Sequence, residues 1–134
     1  MSRLAEIDRI WQILVALVMD SRGDWRRSAM EVTCLPFSRV RALRRVANGP
    51  LALRELAEAM TIDAPAATVI VNDLEERGLV RRRSHATDRR TKIVSVTAAG
   101  KRLVDAVNQI AEHAPEPLAS LSAEDVTTLS RIFE

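Results

Sequence analysis

The chain has 134 residues, 47% of them hydrophobic and 28% charged, with a formal net charge of +2. That length fits one domain, or one compact unit with arms that pack on a second copy, and that composition excludes a disordered, charge-dominated segment. The longest apolar stretch, Ile13 to Met19, is too short for a membrane span, and Met1 to Arg9 carries Arg3, Glu6, Asp8 and Arg9, so neither a signal peptide nor an anchor is expected. Cys34 is the only cysteine, which rules out an intrachain disulfide and fits a cytoplasmic location.

Charge is unevenly distributed. Six cationic side chains (Arg81, Arg82, Arg83, Arg89, Arg90 and Lys92) and a single acid, Asp88, fall between positions 81 and 92, giving that segment +5 and leaving −3 for the remainder.

In chain order, Leu4, Ile7, Trp11, Leu14 and Val18 recur at steps of three and four, the seam of a helix that packs lengthwise on another helix. Ser21-Arg22-Gly23 is expected to weaken or bend it, with Asp24 capping a second stretch to about Val32. Pro36 suits the first turn of a helix that runs to Ala47, with Phe37, Val40 and Leu43 on one side and Arg39, Arg41, Arg44 and Arg45 elsewhere, ended by Asn48-Gly49-Pro50.

Leu53 to Met60 reads as a short helix, and only Thr61-Ile62-Asp63 separates it from the next, so the two must cross sharply. Asp63 supplies an N-cap to the second, whose buried stripe is Ala67, Ile70, Val71 and Leu74, and Gly78 a C-terminal cap with Leu79 folding back. Val80 to Ser84 and Lys92 to Val96 then form an antiparallel hairpin. Thr97 caps a long helix expected to end near His113 to Pro117, and Ser122 opens a last amphipathic helix with Val126, Leu129 and Phe133.

Helix, tight turn, helix and basic hairpin form a device for reading duplex DNA: a helix fits the major groove, while hairpin arginines neutralise phosphates and can enter a narrow minor groove. The outer face of the second helix carries Pro65, Ala66, Val69, Asn72 and Asp73, with Thr68 at the border. Ala66 and Val69 could meet thymine methyls, Thr68 and Asn72 could bond a base edge or phosphate, and Asp73 would be repelled unless an arginine screens it.

The segments Leu53-Arg54-Glu55-Leu56-Ala57-Glu58-Ala59-Met60, Asp73-Leu74-Glu75-Glu76-Arg77-Gly78-Leu79-Val80, Asp88-Arg89-Arg90 and Thr97-Ala98-Ala99-Gly100 together resemble the multiple-antibiotic-resistance regulator (MarR) family over nearly the whole chain. The resemblance implies a homodimer joined by its terminal helices, with two winged domains on successive turns of a pseudo-palindromic operator. It implies that Arg90 matches the wing arginine that enters the minor groove, that Asp88 helps to position arginines there, and that Thr68 matches a DNA-contacting Ser or Thr. Two positions depart from the pattern: Val69 stands where many members carry a polar or basic residue, and Ala52 where a Ser or Thr cap often opens the preceding helix.

The expected architecture is mainly α with a small antiparallel β-hairpin wing: a winged helix-turn-helix domain over 35–97, and dimerisation helices over 1–34 and 98–134. The candidate DNA contacts are Pro65, Ala66, Thr68, Val69, Asn72, Arg77, Arg81, Arg82, Arg83, Asp88, Arg89, Arg90 and Lys92, and the candidate dimer contacts Leu4, Ile7, Trp11, Leu14, Leu129 and Phe133. Partners are double-stranded DNA, a second copy of the chain and an unidentified small-molecule inducer, whose site the sequence does not place. The function expected is a ligand- or signal-responsive repressor, with a non-enzymatic architectural or partner-binding dimer as the alternative. No cofactor is expected: His85 and His113 lack metal-ligand spacing, and no Ser/His/Asp, Cys/His or phosphate-cradling arrangement suggests an enzyme. Cys34 reads as a packed side chain or, alternatively, an oxidation sensor.

Overall fold

The computed structural model describes residues 2–134; Met1, the first position of the expected dimerisation segment, lies outside the described residues. Two compact units are present, one made of the segments 1–25 and 111–134 and the other of residues 26–110. These divisions follow packing, whereas the expected boundaries at 34/35 and 97/98 divide the chain by task.

Helix α1 (Arg3–Thr33) is continuous for 31 residues. The bend expected at Ser21-Arg22-Gly23 is absent, and Asp24 lies inside the helix instead of at an N-terminus. An isolated glycine costs a helix only about 1 kcal/mol, and the Ser21 hydroxyl donates back to the Leu17 carbonyl at 2.6 Å instead of diverting the backbone. The helix ends at Cys34, a non-glycine residue with φ +56, whose N–H donates to the Met30 carbonyl.

In the unit 26–110, helix α2 (Phe37–Ala47) follows Pro36, which occupies the N-cap position, one residue before the first turn. A two-residue strand β1 (Leu51–Ala52) leads into α3 (Leu53–Met60). Ala52 cannot cap α3 through its side chain; instead its N–H donates to Glu55 Oε1 at 2.9 Å, one half of a capping box. Helix α4 (Ala64–Glu76) is opened by Asp63, whose Oδ1 accepts the Ala66 N–H at 2.7 Å, as its sequence requires.

Both helices of this pair end in the same Schellman motif. In α3 the Thr61 N–H donates to Glu58 O and the Ile62 N–H to Ala57 O; in α4 the Gly78 N–H donates to Glu75 O and the Leu79 N–H to Leu74 O. Gly78 suits its φ of +75, whereas Thr61 holds φ +57 with a β-branched side chain.

Strands β2 (Val80–Ser84) and β3 (Lys92–Val96) form the expected antiparallel hairpin, with Val80 opposite Val96 and Ser84 opposite Lys92. Sequence reading missed β1, which pairs with β3 (Leu51 opposite Val94) and completes a sheet of order β1-β3-β2. Thr97 caps α5 (Ala98–Asn108) by accepting the Gly100 N–H, and its hydroxyl donates to Gly78 O at 2.6 Å. Helix α5 stops five residues short of the expected end: Val107 is its last buried residue, and the Ile110 N–H closes a three-residue turn onto Val107 O. Leu43, Leu56, Leu74, Val40, Val46, Val71, Val94 and Val107 are fully buried and bind α2 to α5 and the sheet into one core.

In the other unit, Pro115 precedes a short helix α6 (Glu116–Ala119), in the stretch where the sequence predicts only the end of the preceding helix. Pro117 sits in its first turn, where no N–H is needed. Helix α7 (Ala123–Phe133) is capped as expected by Ser122, which accepts the Asp125 N–H at 3.1 Å.

Candidate nucleic-acid interface

Helix α4 turns Ala67, Ile70, Val71 and Leu74 into the core, which leaves the opposite face free. On it Pro65 and Asn72 are exposed, Val69 is 58% exposed, and Ala66 and Thr68 are half-buried. The Thr68 hydroxyl donates to the Ala64 carbonyl of its own helix at 3.0 Å, leaving its oxygen able to accept.

The two flanks of this face are held by carboxylate–arginine contacts. On one, Asp73 accepts from Arg39 Nε of α2 at 2.9 Å through Oδ2 and from Arg77 Nε at 2.9 Å through Oδ1. Arg77 and then Arg39 keep the Asp73 carboxyl below its ordinary pKa. On the other, Glu75 accepts the Arg82 N–H through Oε2 and the Arg82 guanidinium through Oε1, both at 3.0 Å, which likewise lowers its pKa. Arg77 and Arg82 from the candidate set are therefore ion-paired within the protein.

Strand alternation separates the remaining arginines. Val80 and Arg82 share one face of β2, with Arg82 opposite the buried Val94, and Arg81 and Arg83 lie exposed on the other. The loop between the strands is closed by the His85 N–H on Thr91 O at 2.8 Å. Inside it, Asp88 accepts the Arg90 N–H through Oδ1 and the Thr91 hydroxyl through Oδ2, each at 3.0 Å, and these two bonds hold its pKa down, with His85 and Arg54 adding electrostatically. Asp88 thus shapes the tip through the Arg90 backbone and the Thr91 hydroxyl, not through an arginine side chain. Arg81, Arg83, Arg89 and Arg90 are exposed and make no ion pair among the described residues, while Lys92 Nζ donates to Ser84 Oγ at 3.0 Å.

The charge imbalance seen in the sequence widens when it follows packing. The unit 26–110 holds sixteen Lys and Arg against nine Asp and Glu, a net of +7, and the other unit four against nine, a net of −5. Sequence reading did not single out Arg39, Glu75 or Arg54 for the site. The period-2 pattern of Val80-Arg81-Arg82-Arg83 carried the signal that sets Arg82 apart.

All six candidate dimer contacts belong to the unit 1–25 and 111–134. Trp11 (65%), Phe133 (73%), Leu4 and Ile7 are exposed, together with Ile10, Ile13, Val18, Met19, Val126 and Ile132, while Leu14 and Leu129 are half-buried. This unit also forms an open cleft of about 730 Å³, lined by Leu14, Leu17, Val18, Trp25 and Leu118 beside Arg22 and Glu112. Arg22 there is ion-paired with Glu112 and lies over the Trp25 ring at 4.3 Å. Cys34 is exposed and its Sγ rests 3.7 Å from Glu31 O. Among the described residues no helix is long and apolar enough to cross a membrane.

A helix pair joined by three residues, followed directly by a basic antiparallel hairpin with a third strand at its root, defines a winged helix-turn-helix protein. Residues 35–91 match the family model described as the MarR family. Three solved structures share the fold. BldR, a transcriptional regulator from Sulfolobus solfataricus, is 23% identical with a TM-score of 0.69, the match covering 98% of this chain and 97% of that one. Wild-type MarR from E. coli, in its apo form, is 20% identical with a TM-score of 0.71, covering 90% and 91%. A mutant of MepR from S. aureus, bound to an oligodeoxyribonucleotide, is 20% identical with a TM-score of 0.66 and covers 90% and 91%.

Proposed function

We propose that the protein is a sequence-specific double-stranded DNA-binding regulator of transcription that acts as a cytoplasmic homodimer and represses until a small molecule or other signal releases it. The observation that carries this reading is the set of four exposed arginines without an ion pair among the described residues, Arg81, Arg83, Arg89 and Arg90, on a hairpin rooted beside the open face of α4 in a unit of net charge +7. Such a surface gains affinity by releasing counterions from phosphates. Arg89 and Arg90 at the tip suit a narrow minor groove, Lys92 and the outer-face arginines suit phosphates, and Pro65, Ala66, Thr68, Val69 and Asn72 suit base edges in the major groove.

Only Thr68 and Asn72 on that helix face carry hydrogen-bonding side chains without a carboxylate, so direct readout is sparse and DNA shape must contribute. In this reading 35–97 binds DNA, and 1–34 with 98–134 join two copies through Leu4, Ile7, Trp11, Leu14, Leu129 and Phe133, setting the reading helices roughly 34 Å apart, one DNA turn. An inducer acts only if it binds one spacing better than the other. The MepR mutant complex supports the DNA assignment by fold likeness.

Anisotropy titration against the DNA upstream of its own gene, at several salt concentrations, tests the proposal. Specific binding that weakens steeply with salt supports it. Absence of such binding, including to sequences selected from random DNA, overturns it in favour of a partner-binding winged-helix dimer.

A further inference from the structure

Asp73 is an acid on the exposed flank of a helix read as entering a DNA groove, where phosphate rows would repel it. Its surroundings resolve the conflict. Two arginines from different elements share its carboxylate, each through Nε at 2.9 Å, so that the three groups together carry one positive charge. Arg39 and Asp73 are well covered, with side chains 22% and 27% exposed, whereas Arg77 is 44% exposed. Arg39 is further fixed by donating to Ser38 Oγ at 3.1 Å.

Helix α4 does not need this arrangement to stay in place, because Ala67, Ile70, Val71 and Leu74 are buried and Glu75 ties its other flank to β2. Arg77, at the C-cap of α4, is the member of the trio that faces outward. With Nε committed to Asp73, the two terminal amino groups of the planar guanidinium are left as the fork that suits a phosphate. Without Asp73, a long side chain at a helix end would sample many rotamers and lose that entropy on binding.

We propose that Arg39 and Asp73 are positioning residues that aim Arg77 at a DNA phosphate beside the groove occupied by α4. This rests on the DNA-binding reading above and extends it to α2, an element outside the helix-turn-helix. Arg39 holds Asp73 from the α2 side, and Asp73 holds Arg77.

The sign of one substitution separates positioning from charge alone. Asp73→Asn deletes a negative charge, so simple electrostatics makes it bind DNA more tightly. Positioning makes it bind more weakly, by about fivefold, the size of an ordinary contact-pair coupling. Arg39→Met should weaken binding to a similar degree, and neither change should add to the loss caused by Arg77→Ala. The experiment measures dissociation constants for the full-length protein and these variants on a selected operator, with thermal melting as the control for folding. Should Arg39→Met melt early, Asp73→Asn and the Asp73→Asn/Arg77→Ala double variant carry the test.

Binding by Asp73→Asn as tight as or tighter than wild type, or losses that add in full to that of Arg77→Ala, overturns the proposal. If either occurs while wild type binds with a steep salt dependence and Arg90→Ala binds weakly, positioning alone fails. A wild-type protein that binds no DNA removes both readings.

Discussion

Arg82 grips Glu75 twice, by its backbone N–H and by its guanidinium, both at 3.0 Å, and so fastens the root of the wing to the flank of α4. The flank opposite is fastened to α2 through Asp73 and Arg39. A hairpin of two five-residue strands is only marginally stable by itself, so the angle it makes with α4 depends on such ties and on β1. Charge-assisted bonds of this kind contribute on the order of 1 kcal/mol when partly exposed. Glu75→Ala should therefore lower stability by about that amount and speed amide exchange at Arg82, with little change at Val71 in the core. Unchanged exchange at Arg82 would show that β1 and the hairpin register alone hold the wing.

Acidification should reach these ties together. Arg77 and Arg39 hold Asp73 below its ordinary pKa, Arg82 does the same for Glu75, and the Arg90 N–H and Thr91 hydroxyl do so for Asp88. A carboxylate whose folded pKa is depressed contributes stability that is present above its unfolded value and lost as pH falls through the folded one. Melting temperature is therefore expected to hold steady above about pH 5 and to fall below about pH 4. The gap between wild type and Glu75→Gln should close over the same interval. A gap that persists unchanged at about pH 2.5, well under the unfolded value, would mean that ionisation of Glu75 contributes nothing.

Gly100, in the first turn of α5, leaves no room for a side chain. A Cβ there would meet the backbone carbonyl oxygen of Leu79 and come within 2.8 Å of Val96 Cγ2. Backbone cannot yield as a flexible side chain can, and the same Leu79 oxygen accepts the Thr97 N–H that starts the helix. Gly100→Ala should cost about 2 to 3 kcal/mol despite the better helix propensity of alanine. Denaturant unfolding measures it, and a variant as stable as wild type would mean that α5 shifts freely on the sheet.

What was legible in the sequence was what neighbours in sequence decide. Asp63, Gly78, Thr97 and Ser122 each act within four residues of themselves, and each ends or opens its helix as read. Ser21-Arg22-Gly23 misled because a weak local preference lost to a helix already satisfied on either side. Strand β1 has two residues and exists only because Leu51 finds Val94. In the candidate site the outward face of α4 followed from its buried stripe, but Arg39 and Asp73, 34 positions apart, offer no local pattern to find.

Thr61 marks a place where the chain carries strain. It occupies the left-handed region at φ +57, in the seat that Gly78 fills at the end of α4. A side chain there costs roughly 1 to 2 kcal/mol, against up to about 1 kcal/mol of unfolded-state entropy that glycine gives up on folding. Thr61→Gly should thus raise stability by up to about 1 kcal/mol. A lower melting temperature for the variant would show that the threonine makes contacts worth more than its strain.

The wing tip and the reading helix should fail in different ways when altered. Arg90 is exposed, and its N–H, not its guanidinium, is bound to Asp88, so Arg90→Ala leaves the loop closed and removes only the charge. It should weaken binding to every sequence tested and reduce the salt slope by about one. Asn72 is exposed on the face of α4, while the Thr68 hydroxyl already donates to Ala64 O. Asn72→Ala should therefore change the order of preference among operators more than Thr68→Ala, by about 1 to 3 kcal/mol at the base pair it reads. Titration of each variant against a panel of single-base operator changes makes the comparison. Were Arg90→Ala to reorder the panel and Asn72→Ala to weaken all members equally, sequence choice would belong to the wing, and α4 would be the element that merely holds the backbone.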